Sequence, residues 1–108
     1  MRINNNNSLD LAAKAGETLT LTYVSGDAIV TFLGFSQQDT LTPGSARMLV
    51  VPLTGTDIPL LVRATFKDTN GGFAAIRVSD AAGNVAPFTF SQFPGVVTDA
   101  VVFLIDIE

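Results

Sequence analysis

The chain has 108 residues, of which six are basic and ten are acidic, and it contains no histidine and no cysteine. This length fits one domain, and the missing residue types exclude imidazole metal ligands, thiolate chemistry and histidine-dependent catalysis. The basic residues form no stripe, so we expect no nucleic-acid partner. Hydrophobic residues make up 47% of the chain and charged residues only 15%, which predicts an unusually apolar surface or one covered by another chain.

The first seven residues, MRINNNN, contain four consecutive asparagines. Asparagine runs favour neither helix nor strand, so we predict a flexible N-terminal arm over residues 1–7 and a single domain over residues 8–108. The segment lacks the apolar run of a signal peptide, and no stretch approaches the roughly 18 apolar residues of a membrane helix. We therefore expect no membrane partner, and either cytoplasmic synthesis or association with a particle.

Residues 17–24, ETLTLTYV, alternate between threonines on one face and apolar residues on the other. This period of two is typical of a half-buried strand. The turn-forming residues Gly26 and Asp27 follow, and they predict a type II′ hairpin into a strand over residues 28–35. Such a hairpin pairs Tyr23 with Val30 and Leu21 with Phe32.

A second predicted hairpin joins residues 46–53 to residues 58–66 through a turn at Gly55. Both faces of this hairpin are apolar, and a protein of two layers covers only one face of each sheet. We therefore predict a homo-oligomer, a dimer or trimer, in which the second face is buried between copies. The candidate interface residues are Met48, Val50, Pro52, Pro59 and Leu61.

A third predicted hairpin turns at residues 80–84. Asp80 can begin a type I turn, Gly83 can adopt the left-handed conformation that follows it, and Asn84 completes the turn. This register places Ile76 opposite Phe88, Val78 opposite Ala86 and Ala74 opposite Phe90. The run VSDAAGN at residues 78–84 resembles the penultimate hairpin of bacterial immunoglobulin-like repeats, and the resemblance implies a β-sandwich.

The loop that begins at Asp68 carries oxygen donors but does not match a calcium loop. An EF-hand needs glycine at its sixth position and glutamate at its twelfth, where this chain has Phe73 and Ser79. A looser site would combine Asp68, Asn70 and Asp80, but the two turns that carry them lie at opposite ends of one predicted strand, about 20 Å apart at 3.3 Å per residue. We expect no metal and no cofactor.

The last predicted strand, residues 100–108, is also apolar on both faces, with Val102 and Leu104 on the second one. Seven or eight short strands separated by turn signals indicate an all-β fold. We predict an antiparallel β-sandwich, immunoglobulin-like or jelly-roll-like, with a small β-barrel as the alternative.

No catalytic constellation is visible, so we predict that the protein is not an enzyme. The doubly apolar strands favour a structural or assembly protein, a small all-β subunit that self-associates, such as a decoration or tail component of a viral or phage particle. The alternative is a carbohydrate- or cell-surface-binding immunoglobulin-like module with a glycan or protein partner. Sugar sites use exposed aromatic platforms, and this chain has no tryptophan and a single tyrosine, Tyr23, on a predicted core face.

Overall fold

The structure, a computed structural model, describes residues 1–67, 72–92, 95 and 97–108. This part of the chain is all-β, with ten strands and no helix, and so contains no helix long and apolar enough to cross a membrane. The strands are β1 (Arg2–Ile3), β2 (Asp10–Ala13), β3 (Thr18–Gly26), β4 (Ala28–Gly34), β5 (Gln37–Leu41), β6 (Ala46–Val50), β7 (Ile58–Phe66), β8 (Gly72–Ser79), β9 (Val85–Gln92) and β10 (Thr98–Ile107).

The strands form two sheets. The larger has six strands in the order β1-β2-β10-β7-β4-β5, and the smaller has four in the order β6-β3-β8-β9. Neighbouring strands are antiparallel except for β2 and β10, which are parallel. The described strands outnumber the predicted seven or eight because short strands such as β1 and β5 were not foreseen.

The two sheets share one hydrophobic core, to which both contribute their inward-facing side chains. The alternation predicted for residues 17–24 is confirmed, since Leu19, Leu21 and Tyr23 are all fully buried. Full burial of a side chain of this size contributes roughly 1.5–3 kcal/mol to stability. Inward residues of β7, among them Leu60 and Val62, meet this core from the other sheet.

The hairpin at residues 80–84 is confirmed with its predicted register. Ile76 pairs with Phe88, Val78 with Ala86 and Ala74 with Phe90. Gly83 has a φ of +94°. One carboxylate oxygen of Asp80 accepts hydrogen bonds from the backbone N–H groups of Ala82 (3.1 Å) and Asn84 (2.8 Å).

The predicted hairpin at Gly26–Asp27 is wrong, because β3 and β4 belong to different sheets. β3 pairs with β6 and β8, whereas β4 pairs with β5 and β7. Gly26 and Asp27 do turn the chain, but they carry it from one sheet to the other. The Tyr23 hydroxyl holds this corner by donating to the Ala28 carbonyl (2.8 Å) and accepting from the Ala28 N–H (3.1 Å).

The predicted hairpin through Gly55 is also wrong. β6 lies in the four-stranded sheet and β7 in the six-stranded sheet, so Gly55, with a φ of +129°, lies in a connection between sheets. Leu49 on β6 and Leu60 on β7 are both buried, but they line the shared core from different sheets. Alternation identifies which side chains point inward; it does not distinguish neighbours in one sheet from partners across the core.

The N-terminal segment contributes to the six-stranded sheet, since Arg2 and Ile3 pair with Ala12 and Leu11. Asn5 and Asn6 have φ values of +53° and +58°, a left-handed conformation that asparagine tolerates better than most residues. The asparagine run therefore forms a tight turn. The flexibility of residues 1–7 stays a prediction.

Candidate interaction surface

The five predicted interface residues do not form one surface. Met48 and Val50 lie on β6, and Pro52 follows it, while Pro59 and Leu61 lie on β7. All five point away from the core, and all are exposed except Leu61, which is half-buried. Because β6 and β7 belong to different sheets, the structure places the β6 and β7 residues on the outer faces of opposite sheets.

The outer face of the six-stranded sheet carries a continuous apolar band. Leu33 on β4, Leu61 on β7 and Val102 on β10 are in direct register across three adjacent strands. In the next row, Pro59 is paired with Leu104. We call these five residues the apolar band. Leu33 is 51% exposed, Val102 45% and Leu104 38%, so the band is open to solvent.

Sequence reasoning missed part of this band. The alternation along residues 100–108 places Val102 and Leu104 on a second apolar face, but it does not show which strand lies beside them. The sequence alone does not place Leu33 on such a face, because the predicted hairpin pairs residues 28–35 with residues 17–24 instead of with β7. The order β10-β7-β4 is a long-range property, and it alone brings the three strands together.

Opposite charges flank the apolar band along the strand direction. Arg63 lies one step beyond Leu61 on the outer face of β7, in register with Thr31 and Ala100. Beyond Pro59 and Leu104 lie the carboxylates of Asp57 and Asp106. A hydrogen bond with the Asp106 carboxyl raises the pKa of Asp57, and the charges of Asp106 and Asp10 add to this effect. The face is therefore basic at one end and acidic at the other.

The outer face of the four-stranded sheet has a different character. Thr18, Thr20 and Thr22 run along its inner strand β3. Met48, which is 69% exposed, and Val50 are paired with two of these threonines on the edge strand β6. Threonine hydroxyl groups therefore line β3 on this face, and Met48 and Val50 lie along one margin.

The edges of the sheets are poorly suited to pairing with another strand. β9, an edge strand of the smaller sheet, contains Pro87, which has no N–H to donate to a neighbour. At the opposite edge, the Gln37 side-chain amide donates to the Met48 carbonyl (3.3 Å). Arg47 binds Asp39 close by (2.9 Å), and β5 and β6 are thereby tied together. These features favour association through a face over association through an edge.

A cleft with a volume of about 750 Å³ is lined by Met1, Lys14, Glu17, Asp80 and Glu108 among others. Its ionic groups are largely paired with one another. The Met1 ammonium donates to Glu17 (2.7 Å) and to Asp80 (3.0 Å), and Arg2 binds Glu108 (2.6 Å). This pairing leaves little unbalanced charge to select a ligand.

The described residues contain no group of three or more histidine, cysteine, aspartate or glutamate side chains placed to hold a metal ion. Asp68 and Asn70, considered above as calcium ligands, lie outside the described residues. Asp80 is engaged with its own turn. Comparison of the chain with protein-family models, curated proteins and solved structures finds no match. The function is therefore inferred from the surface of the protein.

Proposed function

We propose that the protein is a non-enzymatic structural subunit that self-associates through the apolar band on its six-stranded sheet. The observation that supports this is the direct register of Leu33, Leu61 and Val102 across three central strands. Five such side chains make a patch of a few hundred Å², at the size of the largest apolar patch on an ordinary monomer. Burying it against a second copy gains about 25 cal/mol per Å², offset by the cost of association.

The architecture behind this proposal is a β-sandwich of the immunoglobulin-like or jelly-roll type, antiparallel except for the β2–β10 pair. The single core shared by both sheets supports it. In such a sandwich the inner face of each sheet is covered by the other sheet, and the outer faces are left for partners. The apolar band is then available for assembly without any change in the core.

The setting that we infer is a particle built from repeated copies, such as a viral or phage particle with decoration or tail subunits. Repetition gives each copy the neighbour that an apolar outer face requires. The blunted edges favour a closed contact between faces, which limits open-ended strand-to-strand growth.

The alternative function, a carbohydrate- or cell-surface-binding module, receives less support. Tyr23 is fully buried, so it offers no platform for a sugar ring. Phe73, on the outer face of the four-stranded sheet, is an exposed aromatic residue, and no second aromatic residue is paired with it. Binding to a glycan array by the monomeric protein is the result that would favour this alternative.

Light scattering on the purified chain tests the assembly function. We expect a mass of at least twice the 11.4 kDa of one chain at micromolar concentration. Leu61→Glu places a charge in the middle of the apolar band and should yield a monomer with an unchanged β-sheet circular dichroism spectrum.

Val50→Lys is the matched control, because it places a charge on the outer face of the other sheet. We expect this variant to remain associated. If Val50→Lys dissociates the protein while Leu61→Glu does not, the four-stranded sheet is the interface and the band is not. A wild-type monomer at micromolar concentration contradicts the proposed function itself.

A further inference from the structure

The charges on the outer face of the six-stranded sheet are arranged along the strands rather than across them. Taking Leu61 as the origin on β7, Arg63 lies two residues in one direction and Asp57 four residues in the other. Successive outward residues are about 6.6 Å apart along a strand, so the midpoint between Arg63 and Asp57 falls between the Leu61 and Pro59 rows. This midpoint is the centre of the apolar band.

A two-fold axis can pass through that midpoint, in the plane of the contact and perpendicular to the strands, and relate two copies of the chain. It lays β7 of one copy antiparallel over β7 of a second copy, with the two apolar bands in contact. It also superimposes Arg63 of each copy on Asp57 of the other. Packed sheets lie about 10 Å apart, a gap that an extended arginine side chain largely spans.

We propose that two copies of the chain pack face to face in this antiparallel arrangement, with Arg63 of each copy bound to the Asp57–Asp106 pair of the other. This inference rests on the proposed self-association and specifies its geometry. Within the described residues, Arg63 takes part in none of the salt bridges. Asp57 is acted on by two further carboxyl groups, those of Asp106 and Asp10. The second copy would supply a counter-charge to Arg63 and to the acidic pair.

The other face-to-face orientation places a two-fold axis parallel to the strands. That axis would stack Arg63 on Arg63 and Asp57 on Asp57, so that both ends of the contact are repulsive. Like charges brought together in an interface cost several kcal/mol. The charge pattern therefore selects the antiparallel arrangement from the two.

The area of the face is sufficient for a stable pair. Six strands spaced about 4.8 Å apart, with residues rising about 3.3 Å each, give a face of roughly 600–700 Å² in projection. A standard interface buries about 800 Å² of accessible surface on each partner, and side-chain relief makes accessible area larger than projected area. The apolar band forms the centre of this contact, and the charged ends form its rim, as in known interfaces.

A charge-reversal experiment tests the arrangement. Arg63→Glu makes the basic end acidic, and the double variant Asp57→Lys/Asp106→Lys makes the acidic end basic. Each variant alone brings like charges together, so the dissociation constant should rise about 10- to 100-fold in sedimentation equilibrium. Mixed together, the two variants should form a heterodimer, detected by native mass spectrometry, because both charged contacts are then restored.

Arg77→Glu is the matched control, since it makes the same charge change on the outer face of the four-stranded sheet and should leave the dimer intact. If the double lysine variant folds poorly, Asp57→Asn/Asp106→Asn replaces it; this variant removes attraction without repulsion and should weaken the dimer only a few-fold.

Four outcomes separate the hypotheses. A heterodimer of the two reversed variants supports the antiparallel pair. If Arg63→Glu instead pairs best with the wild-type chain, Arg63 faces Arg63 and the arrangement is overturned. If every reversed variant dimerises like the wild type, this inference fails while the proposed self-association stands. A wild-type chain that is monomeric removes both.

Discussion

Two turns of this molecule, one at Gly26–Asp27 and one at Asp80–Asn84, both contain glycine and aspartate but differ in how tightly they are packed. The first is packed tightly: a Cβ atom on Gly26 would lie 2.5 Å from the Phe73 carbonyl oxygen and 2.7 Å from the Ala74 Cα. The second is open, and a Cβ atom on Gly83 would have no neighbour within 4 Å. The first turn connects the two sheets, whereas the second joins neighbouring strands of one sheet.

The two turns also differ in the residues that hold them in place. The corner at Gly26 is held by long-range partners, since the Asp27 carboxylate accepts a hydrogen bond from the Phe73 N–H (3.1 Å) and the Asp27 N–H donates to the Phe73 carbonyl (3.0 Å). The turn of the hairpin is held by Asp80 within its own loop, although Asp80 also binds the Met1 ammonium. Damage to the corner should therefore disturb both sheets, whereas damage at Gly83 should stay local.

The largest effect is expected from Gly26→Ala. The added methyl group meets backbone atoms that cannot rotate away, and φ at this residue is +149°. We expect a loss of more than about 3 kcal/mol in the free energy of unfolding, measured in urea. Gly83→Ala is the control and should cost about 1 kcal/mol, because only its φ is unfavourable. Equal losses in the two variants would show that the corner is not the more constrained turn.

The next effect in size is expected from Tyr23→Phe. Removing the hydroxyl leaves the buried N–H and C=O groups of Ala28 without their partner, at a cost of about 2–3 kcal/mol. Burial raises the pKa of Tyr23, so its ultraviolet absorbance should not show phenolate formation at pH values where free tyrosine titrates. A normal titration in the folded protein would contradict the closed corner.

The hairpin at Asp80–Asn84 could be predicted because all of its determinants are local. Asp80, Gly83 and the alternating strands on either side specify both the turn and the register. The corner carries the same local signal, but its direction depends on Phe73, far away along the chain. The β4–β5 hairpin was missed for another reason: its two central residues, Phe35 and Ser36, adopt φ values of +55° and +58° without the glycine or asparagine that usually marks such a turn.

The candidate surface could likewise be predicted from the sequence only in part. Exposure of Met48, Val50 and Pro59 was predictable from alternation, because period-two patterns assign each side chain to a face. The combination of these residues into one interface was not predictable, since it depends on which strands are neighbours. Leu61 acquires its partners Leu33 and Val102 only through strand order. The approach of Asp106 to Asp57 likewise depends on the pairing of β10 with β7.

Acid tests the contrast between the turns through Asp80, whose carboxylate holds the hairpin turn. The hydrogen bond from the Asn84 side chain, together with bonds from the Met1 ammonium and the Asn84 N–H, lowers the pKa of Asp80 from 3.8 to about 2. A carboxyl group with a lowered pKa contributes stability that is fully present above its unfolded pKa. That stability is lost as the pH falls through about 2.

We therefore expect the melting temperature to decrease between pH 4 and pH 2. The decrease should be smaller in the Asp80→Asn variant, because asparagine keeps an oxygen acceptor but does not titrate. The comparison of slopes isolates Asp80 from the other carboxyl groups, which are the same in both proteins. Identical slopes would show that Asp80 is not the group responsible.

The smallest effects are expected at Gly83, where Gly83→Val tests whether the hairpin is as independent as its open surroundings indicate. A β-branched residue at a φ of +94° is strained by roughly 1–2 kcal/mol, even where no atom obstructs it. Gly83→Asn should cost less than Gly83→Val, because asparagine tolerates positive φ. Since this hairpin lies in the four-stranded sheet, both variants should self-associate like the wild type, whereas Gly26→Ala should also weaken association by loosening the sheet that carries the apolar band. A Gly83→Val variant that dissociates while remaining folded would mean that the hairpin contributes to the interface, and the distinction between a local turn and a corner that controls both faces would no longer hold.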